Sequence, residues 1–123
     1  MLNADRDKLR VLAVDKWVEL KSSFIREIDK LTARSHRLQF ECDDSDDNAL
    51  HVDRFYGEHP ARVLDLQFRP EVPGVLIEIQ MLGKFTRDTL TFGLAGSGVS
   101  ISSQGHGVIL PQLMQVILLK ITR

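Results

Sequence analysis

The chain has 123 residues, 16 Lys+Arg against 17 Asp+Glu, a net charge of -1 and 43% hydrophobic residues. That length fits one domain, 1–123, and that hydrophobicity excludes a disordered tail. The near-even charge disfavours nucleic acid as a partner, and the lone cysteine, Cys42, excludes a disulfide-stapled domain.

Residues 5–34 read as one long helix, uninterrupted by Gly or Pro. Asn3 or Asp5 suits its N-cap, and Asp5 and Asp7 suit the positive end of its dipole. At about 100° per residue its apolar positions form two adjoining stripes. Leu9, Ala13, Trp17, Leu20, Phe24, Ile28 and Leu31 make the first; Val11, Val14, Val18 and Ile25 make the second. Together they cover roughly 200° of arc, about twice what a surface helix needs. Lys21 falls between the stripes and reads as a flaw in that face.

Residues 37–42, 49–55, 62–68, 75–82, 86–94 and 98–103 read as strands. Their inward positions are Leu38, Phe40, Cys42; Leu50, Val52; Leu64, Leu66, Phe68; Val75, Ile77, Ile79, Met81; Leu90, Phe92, Leu94; and Val99, Ile101. The connections, at 43–48, 56–61, 69–74, a tight Gly83-Lys84 turn and 95–97, are short. Short links between strands favour antiparallel hairpins in sequence. Pro111 suits the first turn of a final helix at 110–121, with Leu110, Leu113, Met114, Ile117, Leu118 and Ile121 inward and Val116 and Leu119 on the other side. The predicted class is α+β: a long N-terminal helix, a six-stranded antiparallel meander and a short C-terminal helix, both helices on one sheet face.

Dimensions then imply an interface. A 30-residue helix is about 45 Å long, whereas a six-stranded sheet with seven-residue strands covers only about 33 Å of it along the diagonal. The surplus marks Val11, Val14, Val18, Ile25, Val116 and Leu119 as candidate interface residues. The expected partner is a second copy, giving a homodimer, or another protein.

Charge is uneven. Residues 1–37 carry nine basic and six acidic side chains; 38–60 carry one and seven; 61–123 carry six and four. Arg26, Lys30, Arg34 and Arg37 make a basic stripe without interleaved aromatics, so single-strand stacking is unsupported. Asp44, Asp46 and Asn48 imitate the start of a calcium loop, but its sixth position is Ala49 and its twelfth Phe55. Such residues are also what a hairpin turn favours. Gly93, Gly96 and Gly98, and Gly105 and Gly107 around His106, lack the Gly-Lys-Ser/Thr ending of a phosphate loop.

The densest set of ligand-type side chains is His51, Asp53, Glu58 and His59. A divalent metal uses such groups, although their spacing matches no HExxH template. The ordinary alternative is solvated residues beside a turn. Cys42 reads as a small inward apolar residue and Trp17 as core. Ser97, Ser100, Ser102 and Ser103 lie in no nucleophile elbow. No motif implies a cofactor.

Charges run on to Arg10 where a signal peptide would turn apolar, and the apolar-rich stretch at 108–119 is short and broken by Pro111, Gln112 and Gln115. No membrane partner and a cytoplasmic location are expected. Two functional readings follow. The leading one is a non-enzymatic interaction or accessory module that self-associates through its helices. The alternative is a small-ligand- or metal-binding cup, extending to a minor enzyme, using Glu41, His51, Asp53, Asp65 and Glu78 on the uncovered sheet face.

Overall fold

The computed structural model describes residues 3–81 and 83–123, with the side chain of Asn3 outside the described part. The proposed Asn3 cap and the last residue of the strand expected at 75–82 therefore fall outside it. The elements are α1 (Asn3–Arg34), β1 (Gln39–Asp43), β2 (Ala49–Tyr56), β3 (His59–Arg69), β4 (Gly74–Met81), β5 (Lys84–Ala95), β6 (Gly98–Ser103), β7 (His106–Gly107) and α2 (Leu110–Ile121). Sheet order equals chain order, β1 to β7, and every pairing is antiparallel. Both helices pack on one face, α1 against β1, β5 and β6, and α2 against β4.

The expected class is present, with corrections in the sheet. A seventh, two-residue strand follows β6 through a turn at Gln104 and Gly105, both at positive φ. The link expected at 56–61 is a two-residue turn, with Tyr56 paired to His59 and Gly57 at φ 67. Glycine adopts that left-handed conformation without a Cβ penalty, so the hairpin closes tightly. β1 starts two residues later than expected, and β5 starts at Lys84.

β3 carries a bulge. Val52 pairs with Leu64 but Asp53 pairs with Arg62, so Val63 is the extra residue. Val63 and Leu64 are both buried as a result, which simple alternation forbids.

The first stripe of α1 is the core. Leu9, Ala13, Trp17, Leu20, Phe24 and Ile28 are buried, and Leu31 is half-buried against them. They meet Leu50, Val52, Leu64, Leu66, Val75, Leu90 and Phe92 from the sheet. Each such side chain contributes about 1.5–3 kcal/mol through burial. Trp17 stacks on Phe68 with centroids 5.7 Å apart and planes 7° from parallel, and its Nε1–H donates to the Asp47 carbonyl at 2.8 Å. Of the side chains expected inward at 37–42, Phe40 is buried, whereas Leu38, which precedes β1, and Cys42 are half-buried at the margin.

The helix ends are tied to the sheet. Gln39 Nε2 donates to the carbonyls of Thr32 and Ser35 at 3.3 and 2.7 Å, and Thr32 Oγ1 accepts from Phe40 N–H. At α2, Arg54 Nη1 donates to the carbonyls of Ile121 and Arg123 at 2.9 and 2.8 Å. Both contacts supply donors to the carbonyl-rich ends of helices, where positive charge is favoured.

Candidate functional site

The uncovered sheet face carries a charged ladder. Register aligns Asp43, His51, Asp65, Glu78 and Arg87 across five strands. His51 Nδ1 is hydrogen-bonded to Asp65 Oδ1. Arg62 Nε donates to Asp53 Oδ1 at 2.6 Å, and its Nη1 donates to Asp65 Oδ1 at 2.9 Å. Arg87 and Glu78 pair at 3.2 Å. The hydrogen bond to Asp53 and, after it, the contacts with Asp65 push the Arg62 pKa up, outweighing desolvation. Arg62 is thus a fixed cation that bridges two carboxylates.

This arrangement separates the four residues grouped by sequence. His51 faces Asp65 and Asp53 faces Arg62. Glu58 lies in the β2–β3 turn and His59 opens β3 opposite Tyr56. Among the described residues no group of three His, Cys, Asp or Glu side chains is placed to hold a metal ion. Glu41, His51, Asp53, Asp65 and Glu78 do share the open face, as expected, but they are spread over four strands. The main grooves lie beside the helices instead.

The acidic loop between β1 and β2 spends its side chains on local structure. Asp43 Oδ1 accepts from Ser45 N–H and Asp46 Oδ1 from Asn48 N–H. The Ser45 backbone and side chain hold the Asp43 carboxyl below the usual carboxylate range. Three loop carbonyls, of Asp44, Asp46 and Asp47, face Lys21 Nζ, the shortest contact being 3.0 Å. Lys21 also lies 5.8 Å from the centre of the Trp17 ring. The residue that looked like a flaw in α1 therefore fastens the helix to the loop, a correction to the sequence reading.

Cys42 is half-buried at the margin of the core. Burial first, then Asp29 and Asp44, push its thiol up from 9.0 to about 11. Only the thiolate reacts, so iodoacetamide at pH 8 should alkylate the folded chain about 100-fold more slowly than the unfolded chain. Following the modification by mass spectrometry checks this; equal rates in both states would contradict it.

The six candidate interface residues occupy two separate surfaces. Val11, Val14 and Val18 are 65%, 46% and 55% exposed, and Ile25 is half-buried against the core. α2 meets α1 on another side, across a groove lined by Ser23, Arg26, Glu27, Pro111, Met114 and Leu118. At about 100° per residue the valines point roughly opposite to Ser23 and Glu27. Val116 faces away from α1, toward Ile77, Ile79 and Thr86, and Leu119 is exposed. The sequence pattern marked both sets as lying off the core stripe but not their separation, because the side on which α2 packs is a tertiary choice.

Sequence reasoning also missed Arg62 and Arg87 on the open face. Arg87 lies at the outward parity of its strand and was legible there, whereas Arg62 reaches that face only through the Val63 bulge. Among the described residues no helix is long and apolar enough to cross a membrane. Compared with protein-family models, curated proteins and solved structures, the chain matches none.

Proposed function

We propose that the chain is a non-enzymatic interaction module that self-associates through the outer face of α1. The observation that carries this reading is the exposure of Val11, Val14 and Val18 in one line on a rigid helix whose other face is already buried. Branched apolar side chains along one seam are what a second helix packs against. The seam also suits a two-fold contact. Val11, Val18 and Ile25 are equally spaced, seven residues apart. With Val18 at the centre of an antiparallel pair, Val11 of one copy meets Ile25 of the other. Such a self-complementary patch is the commonest route to a dimer.

Sedimentation equilibrium of the full chain tests this. The expected result is a dimer, with Val18→Glu raising the dissociation constant at least about tenfold because it buries an unpaired charge. A wild-type chain that stays monomeric at millimolar concentration would sink the proposal.

A further inference from the structure

The sheet has a second kind of unfinished surface, and it lies away from the valine seam. β5 has 12 residues and β6 has six. β6 pairs only with the C-terminal half of β5, from Thr91↔Ser102 to Ala95↔Gly98. The N-terminal half of β5 therefore has β4 on one side and an open edge on the other. Phe92 N–H points toward β4, where it donates to the Pro73 carbonyl. By alternation the backbone groups of Phe85, Arg87 and Thr89 point to the open edge. Asp88 Oδ1 accepts from Thr89 N–H. Among the described residues nothing meets the edge-facing N–H groups of Phe85 and Arg87. Edges of this kind are ready to pair with an added strand.

Beside the edge runs a groove about 280 Å³ in volume, floored by Ile77, Ile79 and Ile117 and flanked by Val116 and Lys120. It shares Ile79, Thr86 and Lys120 with a neighbouring hollow that Lys84 and Arg123 also line. Among the described residues Lys84, Lys120 and Arg123 take part in no ion pair. The acid on this side, Asp88, is engaged by Ser103 and by Thr89 N–H. On the opposite face Arg87 stands beside Phe85, with its guanidinium 5.4 Å from the ring centre.

We propose that the free edge of β5 from Lys84 to Thr89 takes up an extended acidic–apolar segment of a partner protein as an added strand. Its backbone pairs with Phe85 and Arg87. Its alternate side chains lie over Lys84, Lys120 and Arg123 on the helix side or against the exposed Phe85 on the other, so the first face is acidic and the second apolar. The charge selects against a second copy at this edge. Two β5 edges paired about Arg87 set arginine opposite arginine, and like charges directly opposite destabilise a pair. Acidic side chains on the helix side meet Lys84, Lys120 and Arg123 with complementary charge, whereas Arg87 on the other face is already paired with Glu78.

The test uses the full chain, labelled with nitrogen-15, titrated with a blocked synthetic octapeptide of alternating valine and glutamate. Two companion peptides are run alongside it: one N-methylated at alternate residues, and one with lysine for glutamate. Amide shifts and slowed hydrogen exchange at Phe85 and Arg87 are expected with the first peptide. The N-methylated and lysine peptides should bind at least tenfold more weakly, as should the first peptide to a chain carrying Lys84→Glu and Lys120→Glu. Absence of shifts at Phe85 and Arg87 at millimolar peptide, equal binding of either companion, or shifts centred on Val11–Val18 would overturn the proposal. Should the double variant fail to fold, the peptide comparison on the unaltered chain still decides.

Discussion

Replacing Trp17 by alanine should lower the unfolding free energy by about 4 kcal/mol, the largest single-residue effect expected in α1. Trp17 is 1% exposed, stacks on Phe68, and donates its indole N–H to the Asp47 carbonyl. Truncation removes all three contributions and leaves a cavity where α1, the acidic loop and the end of β3 meet. The ring also supports Lys21, so the tie between that lysine and the loop loses its platform. A chain of this size has a total stability of roughly 6–18 kcal/mol, so the loss is a large share of it. Urea denaturation followed by far-ultraviolet circular dichroism measures the change. Trp17→Phe is the companion: it keeps a stacked ring, loses the hydrogen bond, and should cost about 1–2 kcal/mol. A loss below about 1.5 kcal/mol for the alanine variant would contradict the packing described for α1.

Gly74→Ala should cost about 3 kcal/mol through crowding rather than through a cavity. A Cβ at Gly74 would stand 2.3 Å from the Leu90 carbonyl oxygen. The obstacle is backbone, so no side chain can rotate away. Gly74 opens β4 opposite Thr91, and relief demands that β4 and β5 separate where Val75 and Leu90 are both wholly buried. Gly93→Ala is the internal comparison. Its Cβ would meet only Ser100 Oγ, at 3.2 Å. That hydroxyl can turn aside, so the change should stay below about 1 kcal/mol. Thermal unfolding of the two variants beside the parent separates them. Equal midpoints would show that the close approach at Gly74 is not a constraint.

The main elements were legible because their signals were long. The stripe from Leu9 to Leu31 holds its helical period over six turns, and all of its members up to Ile28 are buried. The hairpins followed from short links between alternating segments, and the final helix matched at both ends. What escaped was decided by one or two residues. β7 has two residues and no apolar pattern to announce it. The extra residue at Val63 reverses parity along β3, turning Arg62 from an inward position to the open face, where it meets Asp53. Alternation counted back from Phe68 places Arg62 on the wrong side. Lys21 was misread for another reason. Its partners are loop carbonyls, which belong to no residue type and leave no mark in a sequence. The free edge of β5 arises from unequal strand lengths, and those depend on where β6 turns at Gln104.

Trp17 is the only tryptophan in the chain. Its indole sits where α1 meets the acidic loop and the end of β3, so its ultraviolet emission reports that junction. Emission that shifts to longer wavelength while the strand signal persists would describe a sheet from which α1 has lifted. Emission and strand signal that change together would describe one cooperative unit. The molecule thus carries an intrinsic optical gauge of helix docking, placed apart from both the valine seam and the β5 edge.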